Sequence, residues 1–150
     1  MADTIREKII AGIISTLEGH ASYSVIASPT IVRGYENYDP DVDGFPIIAV
    51  MPRQEDAQRT KYGTESHTMQ VDIYCLIKIG TGNPSELAEA VLGQLILAAL
   101  GSTPSDASDM AYLNGGIDEY MDLSKTVLTV GISIEVTYET DIGDPYNLTT

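Results

Sequence analysis

Two long stretches of alternating apolar and polar residues are the strongest pattern in the chain. A period of two places the apolar side chains on one face of a β-strand and the polar ones on the other. We therefore predict two strands of about a dozen residues each, longer than the usual ~5–6. One face of the sheet is then covered and the other is exposed to solvent. Strands of this length with an open polar face favour a sheet that extends beyond its own subunit. The apolar positions are Met69, Val71, Ile73, Cys75, Ile77 and Ile79 in the first strand and Leu128, Val130, Ile132, Ile134, Val136 and Tyr138 in the second.

Apolar residues at helical spacing predict an N-terminal amphipathic helix that ends at Gly19. Its start, Thr4-Ile5-Arg6-Glu7, reads as a capping box. In such a box the Thr4 hydroxyl accepts from the Glu7 amide and the Glu7 carboxylate accepts from the Thr4 amide. The buried stripe comprises Ile5, Ile9, Ile10, Ile13, Ile14 and Leu17.

A second helix is predicted from Asn83-Pro84-Ser85-Glu86, which supplies a cap and a proline at the first helical position, to Gly101. Its last turns are apolar almost all round because Leu97 and Ala98 add to the buried stripe. Packing on the first helix explains this surplus most simply. A contact between subunits is the alternative, in which Leu97 belongs to an interface.

The rest of the chain completes the predicted order of elements. Phe45–Met51 reads as a short strand that is apolar on both faces, and Met110–Tyr120 as one further strand. Between the first of these and the long strand, the hydrophilic segment Arg53–Ser66 is predicted to be a loop. We predict an α+β fold in which two helices pack on one face of a largely antiparallel or mixed sheet. Residues 1–150 form one domain, with 141–150 as an extended C-terminal tail.

Charge and composition exclude several classes of function. The chain has 150 residues, 43% of them apolar, and 22 acidic against 8 basic side chains give a net charge of −14. A globular domain so acidic is a poor direct ligand for nucleic acid or for an anionic membrane. The N-terminus lacks the order of a signal peptide, and the longest apolar stretch is too short to span a membrane. The single cysteine excludes an internal disulfide.

Candidate chemistry is sparse. Asp39-Pro40-Asp41-Val42-Asp43-Gly44 matches the opening of an EF-hand calcium loop, but Val50 stands where the bidentate Glu is required. We interpret this segment as an acidic surface turn and keep a calcium-dependent binding module as an alternative. His20 and His67 lie in no pattern that would make either a catalytic base, and Cys75 falls on an apolar strand face. We therefore predict no catalytic residue, metal site or cofactor, and a small enzyme with an unrecognised site is the remaining alternative.

A family resemblance lies in the layout of the elements over residues 4 to 140. It is carried by the helix opening Ile5-Arg6-Glu7-Lys8-Ile9-Ile10, the strand Phe45-Pro46-Ile47-Ile48-Ala49-Val50 with its Phe-Pro entry, the Met69-to-Ile79 strand, and the closing Glu135-Val136-Thr137-Tyr138-Glu139-Thr140. This layout resembles the tail terminator proteins of long-tailed bacteriophages, the lambda minor tail protein U type. Residues beyond 140 extend past the matching part.

The resemblance implies a non-enzymatic structural protein of the virion tail, assembled in the host cytoplasm. Such proteins form a six-fold ring that caps the tail tube, stops its polymerisation and offers the opposite face to head-completion proteins. Acidic residues lining the bore would let DNA pass by like-charge repulsion. Another tail-completion or head–tail connector ring is the alternative within the same structural class.

The hydrophilic segment is our preferred contact with an acidic tube or a neighbouring subunit, because it carries three of the eight cations. A merely solvated loop is the alternative interpretation. Tyrosines in polar surroundings are plausible amphipathic anchors at such an interface. The predicted interaction residues are Arg53, Arg59, Lys61, Tyr35, Tyr38, Leu97 and Tyr146.

Overall fold

The computed structural model describes residues 3–34, 46–79, 83–119 and 127–149, with backbone alone for 117–119. Within these ranges two helices and one five-stranded mixed sheet form an α+β fold, as predicted. The helices are α1 (Ile5–Gly19) and α2 (Pro84–Ala99), and the strands are β1 (Thr30–Arg33), β2 (Ile47–Arg59), β3 (Thr64–Lys78), β4 (Asp109–Glu119) and β5 (Val127–Asp141). Neither helix is long and apolar enough to cross a lipid bilayer.

The sheet has the strand order β1-β2-β3-β5-β4. The two long alternating strands, β3 and β5, are antiparallel neighbours at its centre and pair along their whole length, from Thr64 opposite Asp141 to Lys78 opposite Val127. β2 and β4 flank them antiparallel, and only β1 is parallel to its neighbour, β2. With four residues, β1 is too short to show a periodicity, so the sequence did not predict it.

The core lies between one face of the sheet and the two helices. The apolar positions of β3 and β5 are buried as their alternation predicted, as is most of the α1 stripe. At the end of α2 the two surplus apolar residues separate. Ala98 is fully buried in the core cluster, whereas Leu97 is 68% exposed. Packing within the chain thus accounts for Ala98 but not for Leu97.

Both predicted helix starts are present, with one difference. The Thr4 hydroxyl accepts from the Glu7 amide at 3.1 Å, and the Asn83 side chain accepts from the Ser85 amide at 2.9 Å. The Glu7 carboxylate, however, pairs with Arg33 at the end of β1 instead of closing the capping box. A charged partner from another element offers a stronger hydrogen bond than the neutral amide.

The hydrophilic segment predicted to be a loop is instead a β-hairpin, and that prediction is wrong. β2 continues to Arg59 and β3 begins at Thr64, so only residues 60–63 form the turn. A register shift between Pro52 and Glu55 carries β2 past the proline. Backbone pairing with the central strand β3 sustains the strand where its own side chains have no apolar pattern.

Residues 141–150 were predicted to be an extended C-terminal tail. The described residues of this segment instead fold back along β5. After β5 the chain turns back, and Leu148 forms an antiparallel bridge with Thr140. The Thr149 amide donates to the Glu139 carbonyl at 3.0 Å, and the Ile5 amide donates to the Pro145 carbonyl at 2.8 Å. The segment therefore joins the end of β5 to the start of α1 and satisfies one of the free helix N–H groups.

Candidate functional site

The turn between β2 and β3 presents an aromatic and a basic side chain. Tyr62 is 78% exposed, and the Lys61 ammonium lies 5.2 Å from the centroid of its ring. The turn itself is closely hydrogen-bonded: the Thr60 amide donates to the Thr64 carbonyl at 2.9 Å, and their two hydroxyls lie 2.7 Å apart. Gly63 supplies the positive φ, 79°, that the turn requires. We call residues 59–63 the hairpin tip.

Of the three cations predicted to contact a partner, the structure brings two together. Arg59 and Lys61 are both exposed at the hairpin tip. Arg53 lies further back on β2, where its Nε donates to Asp72 at 2.7 Å. Hydrogen bonding to Asp72 raises the pKa of Arg53. Arg53 therefore belongs to a network within the chain rather than to the tip.

That network, on the face of the sheet away from the helices, centres on Asp72. Its carboxylate accepts from Arg53 of β2, from the Ser133 hydroxyl of β5 at 2.6 Å and from Gln70 at 3.2 Å. Burial alone would raise the pKa of Asp72, but these hydrogen bonds outweigh it and hold the pKa below its usual value. The network ties three strands together at the point where β2 changes register.

A second polar cluster lies on the helix-facing side of the hairpin. His67 and Tyr138 are opposite one another on β3 and β5, with their rings stacked at 4.7 Å and 8°. The Tyr138 hydroxyl donates to the Glu55 carboxylate of β2. His67 places Nε2 2.9 Å from the Thr140 hydroxyl and Nδ1 3.3 Å from Glu55 Oε2, the latter without hydrogen-bond alignment. Burial and the hydrogen bond to Glu55 both raise the pKa of Tyr138.

The order hydroxyl, imidazole, carboxylate in this cluster has the form of an activated nucleophile. Thr140 is only 1% exposed, however, so its hydroxyl is out of reach of a substrate. The geometry instead supports a structural role, in which these side-chain contacts hold β2, β3 and β5 together. Sequence analysis missed it because its members are far apart in the chain. The available signal was that His67 and Tyr138 continue the apolar faces of the two alternating strands.

Neither Tyr146 nor Leu97, the other two predicted interaction residues that the structure describes, lies at the hairpin tip. Tyr146 is 45% exposed in the C-terminal turn, which the Gly143 amide ties to Glu65 of β3 at 2.8 Å. Leu97 stands apart on α2. Tyr35, Tyr38 and the acidic turn from Asp39 to Gly44 lie outside the described residues. Within the described ranges, no group of three or more His, Cys, Asp and Glu side chains is placed to hold a metal ion.

One exposed apolar pair was not singled out by the sequence. Tyr112 and Leu113 of β4 are 41% and 44% exposed, although large apolar side chains are more often buried. β4 is the last strand of the sheet, and among the described residues it pairs with β5 alone. Its exposed residues therefore lie on an edge strand of the sheet.

No protein-family model matches this chain, and no curated protein aligns significantly with it.

Proposed function

We propose that this protein is a structural ring subunit of a bacteriophage tail terminator, and that the hairpin tip contacts the end of the tail tube. The α+β layout supports this proposal together with the resemblance described above. The observation that carries it is the tip itself, in which Arg59, Lys61 and Tyr62 stand exposed on a closely bonded turn. In a chain of net charge −14, such a basic and aromatic tip is a distinctive surface.

The physical role of the tip follows from its rigidity and charge. A turn held by backbone and hydroxyl hydrogen bonds loses little conformational entropy on docking. Lys61 and Arg59 would pair with carboxylates of the tube, and Tyr62 supplies apolar area with a polar end. Since acidic side chains predominate in the rest of the sequence, the tip also gives the subunit an orientation relative to an acidic tube.

Deleting the hydrophilic segment is not a suitable test, because residues 53–59 belong to β2 and pair with β3. Charge reversal at the tip avoids this problem. A phage lacking the gene is complemented with the wild-type protein, with the double variant Arg59→Glu/Lys61→Glu, or with Lys8→Glu. Lys8 is exposed on α1, and Lys8→Glu is the control for charge reversal away from the tip, with half the change in net charge of the double variant.

Electron microscopy of the particles gives the outcome. We expect overlong, headless tails without the gene and with the double variant, and tails of normal length with the wild type and Lys8→Glu. Normal capping by the double variant would reject the tip as the tube contact. Headless tails of normal length in the phage lacking the gene would favour a head–tail connector ring instead. Infectious particles without the gene would reject both structural roles.

A further inference from the structure

The C-terminal residues 142–149 cover the last part of the β5 edge. β4 pairs with β5 only as far as Thr137, whereas β3 follows the other side of β5 to its end at Asp141. Beyond Thr137 the edge on the β4 side is taken by the bridge between Thr140 and Leu148. These residues therefore complete the side of β5 that β4 does not reach, and we call residues 142–149 the C-terminal flap.

The turn of the flap forms one wall of a cavity of about 260 Å³ beside His67. Gly143, Asp144 and Pro145 supply this wall, and the polar cluster around His67 supplies most of the remaining lining. The His67 side chain is only 13% exposed, and its Nδ1 atom is buried. Displacing the flap would therefore open this cavity and raise the exposure of His67.

The flap is held by contacts at separate points rather than by a continuous apolar face. The Pro145 carbonyl accepts from the first amide of α1 at 2.8 Å, and the Thr149 amide donates to β5 at 3.0 Å. Between them, the Gly143 amide donates to the Glu65 carboxylate of β3 at 2.8 Å. Leu148 packs, partly buried, against the core cluster. These contacts bind the flap to three different elements.

Packing beneath the flap is incomplete. A second cavity, of about 280 Å³, lies between its last residues and the loop 105–108. The Thr149 Oγ1 atom is buried without a hydrogen-bond partner in the described part of the chain, and such an unpaired hydroxyl destabilises the closed position. Ile142 and Tyr146 are each 45% exposed, so much of the apolar surface of the flap stays unburied. A segment held in this way is expected to open more easily than the whole fold.

The flap is joined to β5 through a glycine. Gly143 has a φ of 77°, is exposed, and has open space where a Cβ would lie. Because glycine adopts a wide range of backbone angles, rotation at this position costs little. β5 itself ends at Asp141, which is paired with Thr64 of β3. Gly143 can therefore act as a hinge that leaves β5 intact.

From these observations we infer that the C-terminal flap is a lid that swings open about Gly143 as one unit, while the helices and strands stay folded. In the closed position it covers the β5 edge and satisfies the Ile5 amide at the start of α1. In the open position the Thr149 hydroxyl gains water as a partner, and His67 becomes accessible. The lid thus controls access to the polar cluster, independently of any contact made by the hairpin tip.

Chemical modification of the full-length protein tests this lid. Diethyl pyrocarbonate acylates accessible imidazole rings, and mass spectrometry of peptides distinguishes the two histidines of the chain. His67 reports on the lid. His20, which follows the last residue of α1, is the internal reference.

A disulfide between the flap and β5 provides a pinned form. Glu139 and Thr149 are opposite each other, because Thr140 faces Leu148 and the Thr149 amide donates to the Glu139 carbonyl. The Cα atoms of such a pair lie about 5.5 Å apart, which a disulfide can bridge. The pinned variant is oxidised Glu139→Cys/Thr149→Cys, in which the native Cys75 stays buried. Glu139→Ser/Thr149→Ser is the matched control, with a similar change in size and no bond.

We expect His67 to be modified in the wild type and in the serine control, and at least about tenfold more slowly in the pinned variant. His20 should react equally in all three. Equal rates for His67 in the pinned variant and the serine control would overturn the inference, because the cluster would then be reached without movement of the lid. A His67 that resists modification in the wild type until urea unfolds the protein would overturn it too.

Hydrogen exchange of the wild type is a second measurement that needs no variant. The Ile5 and Thr149 amides donate across the lid contacts, whereas the Ser108 amide donates to Thr137 on the same edge of β5. Ile13, in the middle of α1, is the reference within the helix. We expect Ile5 and Thr149 to exchange with similar protection, and at least about tenfold faster than Ser108 and Ile13. Protection of Ile5 equal to that of Ile13, or clearly different from that of Thr149, would show that the flap does not open as a unit and would overturn the inference.

Discussion

Replacing Asp72 by Asn is a quantitative test of the hydrogen-bond network on the face of the sheet away from the helices. The Asp72 side chain is 11% exposed, and it accepts from Arg53 at 2.7 Å, Ser133 at 2.6 Å and Gln70 at 3.2 Å. The substitution preserves the shape but removes the charge and turns one acceptor atom into a donor. It leaves the Arg53 guanidinium without its charged partner.

The expected loss follows from these contacts. A hydrogen bond to a charged group contributes about 1.5–3 kcal/mol when it is shielded from water. The Arg53 side chain is 45% exposed, so its share is reduced to about 0.5 kcal/mol. The Ser133 hydroxyl can still donate to the remaining oxygen. We therefore expect the free energy of unfolding to fall by about 1–2 kcal/mol, which moves a urea midpoint by about 1 M.

The pH dependence gives the sharper criterion. Since the pKa of Asp72 is lowered in the folded state, its ionised form stabilises the fold above the unfolded pKa, and this contribution is lost as the pH falls through the folded pKa. The gap between the wild type and Asp72→Asn should be widest near pH 7 and shrink below about pH 4. Urea unfolding across this range measures it, with the exposed Glu89→Gln as control. A gap that is unchanged at low pH would refute the reasoning.

Three further substitutions probe other parts of the fold by urea or thermal unfolding. Thr4→Ala removes the acceptor that lies 3.1 Å from the Glu7 amide, and we expect a loss of about 1 kcal/mol. Tyr138→Phe removes the donor to Glu55 within the buried cluster, and we expect a loss of about 1–2 kcal/mol. Gly131→Ala would place a Cβ 2.7 Å from the Tyr74 ring, which we expect to cost about 1–3 kcal/mol.

Each of these three expectations has its own control. Thr4→Ser keeps the cap and should stay close to the wild type; equal loss in both variants would mean that capping is not the cause. Tyr112→Phe, at a half-exposed tyrosine, should change stability little, and a loss matching that of Tyr138→Phe would contradict a special role for the buried hydroxyl. Most of the Gly131→Ala penalty should vanish in a Tyr74→Ala background, and a penalty that persists there would exclude the ring clash.

The sequence was most informative where structure is specified locally. The alternation in β3 and β5 follows from the two-residue repeat of a strand, and both helices follow from apolar stripes with local caps at Thr4 and Asn83. Such signals involve residues within about four positions of each other, so they survive without knowledge of the rest of the chain. The exposed cations Arg59 and Lys61 were identified in the same way, from composition and polarity alone.

The sequence failed where pairing with a distant strand decides the outcome. Residues 53–59 have no strand pattern of their own, yet β3 lies beside them and supplies hydrogen-bonding partners. Likewise, Arg53 and Arg59 both lie in the same hydrophilic segment, but the fold places Asp72 against Arg53. Local polarity cannot distinguish a free cation from one that is already paired.

The sequence by itself determined the α+β class, the two helices and the burial faces of the central strands, because burying apolar surface requires those periodicities. Only the tertiary structure decided that His67 meets Thr140, 73 positions away, and that β1 and β4 become the edge strands of the sheet. The physical reason is that strand order and cross-strand pairing are properties of the whole chain. They depend on which backbone edges the other elements have already occupied.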